Sequence, residues 1–210
     1  MSDSHSLKEF EAFGVKILKS SHPQVRILKR KTDEPVIHGQ KIWGASLLLM
    51  DYFQKHNLIH TGDRVLDAGC GWGLTGIYAA QQCGADVTAV DADKSVFPYL
   101  QLHADVNNVN LKTRQSRFEK LRVCDLQGHD LMFGGDVCFW DELVDTWYKL
   151  IGRAFRSGVK RVVLADPGRT SFHELTERCL ERWGADSVEW SVDIPRRTTG
   201  YVLDIQNPKA

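Results

Sequence analysis

Apolar and polar residues along the chain follow two periods, and their alternation becomes regular near residue 43. Before that point, GVKIL and VRIL are short apolar runs within residues 13–30, split by SSHPQ, and they predict paired extended segments or a hairpin. Residues 1–12 read as a tail or short helix. Trp43, Leu47, Met50 and Phe53 recur at helical spacing and predict a helix over residues 44–56. RVLDAG is a short buried strand opening into a glycine-rich loop, with LTGIYAAQQ as the helix behind it. ADVTAVDAD predicts a second strand. KSVFPYLQLHADVNN reads as a helix with Pro98 in its first turn, where the missing N–H costs no hydrogen bond. A weak strand at 111–116 and the strand HDLMFGGDVCF follow. Leu143, Trp147, Leu150, Ile151 and Ala154 mark the next helix, RVVLADP a strand, and Phe172, Leu175, Cys179, Leu180 and Trp183 another helical stripe. VEWSVDI and YVLDIQN are final strands flanking PRRTTG.

Strands alternating with helices predict a parallel sheet covered on both faces. The last two strands have no helix between them, so they must pair antiparallel, because a parallel return needs a longer crossover.

The chemistry concentrates in VLDAGCGWG, residues 65–73. An apolar strand delivers Asp67, then Gly69, Cys70, Gly71 and Gly73, and a helix follows. Glycines there allow a sharp turn and let a ligand approach the backbone. Asp91 stands 20 residues beyond Gly71, at the end of the next strand. A carboxylate in that place can accept both ribose hydroxyls of an adenosine. Two cofactors compete for such a loop. GWGLTG, residues 71–76, also fits the dinucleotide pattern G-x-G-x-x-G. Asp67 argues against a dinucleotide, because its charge would repel a pyrophosphate and suits the cationic amino-acid end of S-adenosylmethionine. The little chain left for a separate substrate domain and the terminal hairpin argue the same way. A glycine-rich turn without a ligand is the plain alternative.

Composition then narrows the partners. Lysine plus arginine is 27, and aspartate plus glutamate is also 27. A chain of zero net charge is not expected to bind nucleic acid or membranes nonspecifically, although it can carry a local basic patch. The cysteines Cys70, Cys83, Cys124, Cys138 and Cys179 are odd in number, form no Cys-x-x-Cys pair and have no zinc spacing with histidine. They read as free thiols in a reducing compartment, predicting a cytoplasmic protein without a metal site. MSDSHSLKEFEAF has neither the apolar run of a secretory signal nor the character of a transit peptide.

From Trp43 to Phe172 the chain resembles class I methyltransferases, and within them the seven-stranded protein-lysine methyltransferases, including those of the electron-transfer-flavoprotein beta subunit. The resemblance rests on several stretches. IWGASLLLMDYF precedes the first strand, and D-x-G-x-G-x-G is matched by Asp67, Gly69, Gly71 and Gly73. Asp91 matches the ribose-binding acid. Gly135 precedes Asp136, Val137, Cys138 and Phe139, where the group has Asp/Glu-x-x-Tyr/Phe. Asp166, Pro167, Gly168 and Arg169 match a later run. The fold implied is α/β: a Rossmann-like doubly wound seven-stranded sheet, mostly parallel, ending in an antiparallel β-hairpin. It would occupy residues 43–210, with residues 1–42 as an amino-terminal extension on the substrate side. S-adenosyl-L-methionine would be held by Trp43, Asp67, Gly69, Cys70, Gly71, Gly73, Asp91, Phe118 and Gly135. Phe118, in RFEKL, stands where a tryptophan is commoner against the adenine. Asp136 and Phe139 would be catalytic, Phe139 in place of a commoner tyrosine. The resemblance implies a protein partner methylated on a lysine nitrogen, with no nucleic-acid or membrane partner. A small-molecule methyltransferase and a non-catalytic nucleotide-binding module are the alternatives on the same fold.

Asp136 ends the strand beside the expected switch point of the sheet. A carboxylate there can hold an incoming amine in line with a methyl group. The amine must be neutral to attack; desolvation lowers its pKa, whereas a carboxylate raises it. Asp136 is therefore an orienting group rather than a strong base, or else the N-cap of the following helix. Asp166 and Arg169 either hold an acidic substrate residue or pair with each other across the Pro-Gly turn.

Thermal denaturation separates the two cofactors. A ligand at ~100 times its Kd stabilises a fold by roughly 2.7 kcal/mol, several degrees in Tm. S-adenosylhomocysteine is expected to raise Tm and NAD to leave it unchanged. A rise with NAD alone would recast Gly71, Gly73 and Gly76 as a pyrophosphate loop.

Overall fold

In the computed structural model, which describes residues 8–32, 44–195 and 197–210, the regular alternation becomes a seven-stranded sheet flanked by helices. Strands β3 (Arg64–Ala68), β4 (Asp86–Asp91), β5 (Lys112–Gln115), β6 (Leu131–Gly135) and β7 (Arg161–Asp166) run parallel. Strands β8 (Asp186–Val192) and β9 (Thr198–Gln206) form the antiparallel hairpin. The order is β5-β4-β3-β6-β7-β9-β8, so β9 lies between β7 and β8, with Leu203 opposite Leu164. The chain builds outward from β3 to β5 and then crosses back to β6 on the other side of β3. The crevice at the carboxyl ends of β3 and β6 is therefore the switch point, where open sheets bind ligands.

Period-two alternation sorts the strand residues between two apolar layers. Val65, Phe133, Val163, Ala165 and Val202 pack with helices α2 (Gly44–His56) and α3 (Leu74–Cys83) on one face. Leu66, Ala68, Met132, Val162, Leu164 and Leu203 pack on the other, against α6 (Glu142–Arg156) and α7 (Thr170–Trp183). Helix α4 (Phe97–Val106) has Pro98 in its first turn, as its sequence requires, and the short α5 (Val123–Leu126) leads into β6. Among the described residues no helix is long and apolar enough to cross a membrane.

The amino-terminal segment differs from its sequence pattern. A hairpin forms, but from β1 (Glu9–Ala12) and β2 (Val15–Leu18) around Phe13-Gly14. EFEA, within the stretch read as a tail or short helix, is thus a strand. VRIL, read as extended, lies in helix α1 (Pro23–Lys31). The reason is Pro23, whose fixed φ suits the first position of a helix. Val25 and Leu28 then fall on one face, packed beside Leu18, Trp72 and Tyr99. Trp43 and residues 1–7 lie outside the described residues.

The free edge of β2 is closed by side chains of α4. Asn107 accepts from the Lys16 N–H at 2.8 Å and donates to the Lys16 carbonyl at 2.9 Å, as a neighbouring strand would. Two residues on, the Leu18 N–H donates to His103 Nε2 at 3.2 Å. The His103 proton then sits on Nδ1, which lies 2.8 Å from the Tyr99 carbonyl. Burial holds the pKa of this imidazole below its ordinary value, favouring the neutral ring.

Asn107→Ala leaves the Lys16 amide and carbonyl without this partner in a partly buried place. Urea denaturation is expected to show a loss of about 1–3 kcal/mol, together with faster hydrogen exchange at Lys16.

Candidate functional site

The loop after β3 folds back on the end of β4. The Gly69 and Cys70 amides donate to the Val90 carbonyl at 2.8 and 3.0 Å. Gly69 has φ +78°, and a Cβ on it would lie 2.6 Å from Val137 Cγ1 and 3.3 Å from Phe118 Cζ. Gly71 has φ +51°, and nothing lies within 4 Å of the place its Cβ would occupy. One glycine is thus needed for close packing, and the other leaves open space over the backbone where a ligand can come near. Gly73 is the N-cap of α3 and lies over Leu100. Cys70 is buried, and burial pushes its thiol well above the ordinary range. That keeps it protonated and unreactive.

Two carboxylates sit beneath this loop, and among the described residues no cation pairs with either. Asp67 is 3 % exposed, and its Oδ2 has no hydrogen-bond partner among the described residues. Burial, reinforced by the charge of Asp91 and opposed by the Gly76 amide, pushes its pKa up to about 7. Asp91 accepts from the Gly71 N–H and the Asp93 N–H, each at 3.0 Å, and burial raises its pKa too. Each carboxylate oxygen has two lone pairs, so Asp91 keeps capacity for ribose hydroxyls. Buried charge without a partner is costly. This pair of acids fits a cationic ligand and opposes a pyrophosphate.

Phe118 faces Gly69 from the next segment. Its ring centroid lies 4.7 Å from that of Trp147, and its carbonyl accepts from Arg153 Nη2 at 2.9 Å. Gly135, the last residue of β6, packs 3.3 Å from Ala45 and Leu49 of α2, measured from where its Cβ would stand. It therefore lets α2 approach the strand end. Trp43, just before α2, is not among the described residues.

After β6 the chain turns sharply at Asp136, whose φ is +62°. Aspartate tolerates this left-handed conformation better than most residues, and such strain gathers at functional sites. The Asp136 N–H donates to the Ala165 carbonyl at 2.8 Å. The Asp136 carboxylate pairs with the Arg169 guanidinium. Arg169 also pairs with Asp166 Oδ2 at 2.7 Å, while Asp166 Oδ1 accepts from the Gly168 and Arg169 amides, both at 2.9 Å. Asp166 and Arg169 therefore do pair across the Pro-Gly turn, and the pair extends to Asp136. Asp136 is not the N-cap of α6; Asp141 holds that position, without a side-chain hydrogen bond. Phe139 lies edge-on to Trp140, 4.6 Å between centroids, and Trp140 is 53 % exposed.

Three residues that shape this loop were not visible as such in the sequence. Trp147, on an apolar helical stripe, donates its indole N–H to the Val137 carbonyl at 3.0 Å. Ser171 Oγ donates to the Cys138 carbonyl. Val137 itself touches the cofactor-side loop at Gly69. Their apolar or small character signals only burial; the roles come from contacts 10 to 68 residues apart along the chain.

Asp67→Asn tests the buried charge. The folded-state pKa lies above the unfolded value, so ionisation costs stability as pH rises from about 4 to about 7. The Tm of the variant minus that of the parent is expected to grow over that window and then level off. A constant difference would mean that Asp67 is ionised throughout.

Comparisons with known proteins match this geometry. A family profile described as "Methyltransferase domain" matches residues 65–158, spanning the loop, Asp91, Phe118 and Asp136. The electron transfer flavoprotein beta subunit lysine methyltransferase of Xenopus laevis is 30 % identical over 130 residues, 62 % of this chain and 52 % of the relative. The EEF1A lysine methyltransferase 3 of Mus musculus is 31 % identical over 109 residues, 47 % of this chain and 43 % of the relative. The aligned stretches thus span about half the length of these relatives. The precorrin-6y C5,15-methyltransferase of Geobacter metallireducens has the same fold, with a TM-score of 0.60 at 12 % identity over 84 % of this chain and 94 % of that one. Sheet order, loop and sequence agree: residues 65–158 match a methyltransferase domain, and the chain resembles the class I, S-adenosylmethionine-dependent methyltransferases and, among them, the protein-lysine methyltransferases.

Proposed function

We propose that the chain transfers a methyl group from S-adenosyl-L-methionine to the side-chain nitrogen of a lysine in a protein. The observation that carries this reading is the contact of Val137 with Gly69, which sets Asp136 beside the cofactor loop. The relatives named as lysine methyltransferases support the choice of acceptor. Free thiols at Cys70, Cys83, Cys124, Cys138 and Cys179 support a reducing compartment such as the cytoplasm.

When bound, the cofactor supplies an electrophilic methyl group on a sulfonium. Asp67, Gly69, Cys70, Gly71, Gly73, Asp91 and Phe118 would hold it, with Gly135 backing the strand end; Trp43, which precedes α2 in sequence, is a further candidate from the family resemblance. Asp136 accepts a hydrogen bond from the amine and orients its lone pair. A lone carboxylate would also stabilise the ammonium form and hinder attack. Arg169, paired with both Asp136 and Asp166, offsets that field. Phe139 and Trp140 give the acceptor an apolar wall, which favours the neutral amine by desolvation. Catalysis then comes mainly from alignment.

Asp136→Asn keeps a residue that tolerates the left-handed turn. With radiolabelled cofactor and a cell protein extract, the parent is expected to label protein, recovered as methyl-lysine after acid hydrolysis. The variant should lose roughly 10²-fold in rate while binding S-adenosylhomocysteine as the parent does. Label confined to small metabolites would turn the reading to a small-molecule methyltransferase. Unchanged turnover in the variant would remove Asp136 from the mechanism.

A further inference from the structure

A second cleft, of about 690 Å³, lies at the opposite end of the sheet from the cofactor loop. Its wall includes Asn207, which follows the end of β9, and Gln206 there pairs with Arg161 at the start of β7. Nothing assigned so far to methyl transfer uses this cleft. The segment after β9 is firmly built in. The Asn207 side chain donates to the Phe155 and Val159 carbonyls at 3.1 and 2.9 Å and accepts from the Lys209 N–H at 3.1 Å.

The charges lining the cleft are of one sign. Lys149, Arg153, Arg156, Arg182 and Lys209 line it, and among the described residues no carboxylate does. In a chain with 27 basic and 27 acidic residues, this is local segregation rather than a general excess. Lys149 pairs with Asp145 at 3.2 Å. Among the described residues Arg156, Arg182 and Lys209 have no acidic partner within ion-pair distance. Arg153 Nε is buried without a hydrogen-bond partner, although its Nη2 reaches the Phe118 carbonyl. Arg156 and Glu119 are the charges that act on this guanidinium.

The apolar part of the lining is aromatic. Trp183 is half-buried, 5.1 Å from Tyr148 and edge-on to Phe155 at 5.5 Å between centroids. Gly152 lies in the interior of α6, where glycine weakens a helix relative to alanine and calls for a local reason. Its missing Cβ would stand 3.5 Å from Arg156 Nη1 and 3.9 Å from Trp183 Cζ2, ordinary contact distances, so this helix position lies beside both the cation and the indole.

We propose that this cleft binds a nucleoside phosphate, either a free nucleotide or one unit of a single-stranded RNA. Arg156, Arg182 and Lys209 receive the phosphates, and the base lies against Trp183. Phosphates place several negative charges within a few ångströms, matching cations crowded into one cleft. A base supplies the flat apolar surface that an indole stacks on. An acidic peptide spreads its charges one per residue and offers no such ring.

The test uses the full chain with S-adenosylhomocysteine at saturation, which keeps adenine out of the cofactor loop. ADP is titrated by calorimetry and a fluorescein-labelled single-stranded RNA dodecamer by anisotropy, with a polyglutamate peptide as comparison. At least one nucleotide probe is expected to bind saturably and to weaken as salt is raised. Binding of ADP alone identifies a free nucleotide; binding of RNA alone identifies the strand. The double variant R156E/R182E changes two exposed side chains and should keep the parent's Tm while weakening binding at least about tenfold. The proposal is overturned if neither probe binds saturably, if the double variant binds as the parent does, or if polyglutamate binds equally well. Binding of S-adenosylhomocysteine itself is read in a separate titration, so a failure of the methyltransferase reading is seen apart from the variant comparison.

Discussion

The site depends on one close approach, between Gly69 after β3 and Val137 after β6. A Cβ at residue 69 would lie 2.6 Å from Val137, nearer than packed atoms allow, and would press on Phe118 as well. The absence of a side chain there lets the glycine loop, the Phe118 ring and the turn after β6 share one point. Each of the three belongs to a different crossover of the sheet. The order reversal between β3 and β6 brings their ends together, and Gly69 lets them touch.

Charge is distributed unevenly about that point. On the cofactor side Asp67 and Asp91 share a buried region without a described cation, and burial raises both pKa values. At the strand ends of β6 and β7 Asp136 and Asp166 are joined by Arg169. One side is arranged to be completed by a cationic ligand. The other is already compensated by Arg169, which is the arrangement the proposed orientation of an amine calls for.

Rigidity at the site comes from side chains that take over backbone hydrogen bonds. Trp147 and Ser171 hold the carbonyls of Val137 and Cys138, while Ala165 receives the Asp136 amide. Asn107 and His103 do the same for the edge of β2. In both places a segment outside the main sheet is fixed by groups that satisfy its polar backbone. The positive φ of Asp136 is then held by its surroundings rather than by local preference.

By itself the sequence determined the order of strands and helices from residue 44 onward, the terminal hairpin and the glycine loop with Asp91 beyond it. These follow from periodicity and turn chemistry, which act over a few residues. Pro98 and Pro23 show the limit of periodicity: both open helices, yet VRIL alone has the pattern of an extended run, and its place in α1 goes with the packing of Val25 and Leu28 beside Leu18, Trp72 and Tyr99. Tertiary structure alone decided that Arg169 reaches Asp136 as well as Asp166, that Val137 meets Gly69, and that Trp147 serves a loop as well as the core. It alone gathered Arg156, Arg182 and Lys209 around one cleft in a chain with no net charge. Pairing, burial and local charge are set by residues far apart in the chain, and their meeting depends on how the strands cross.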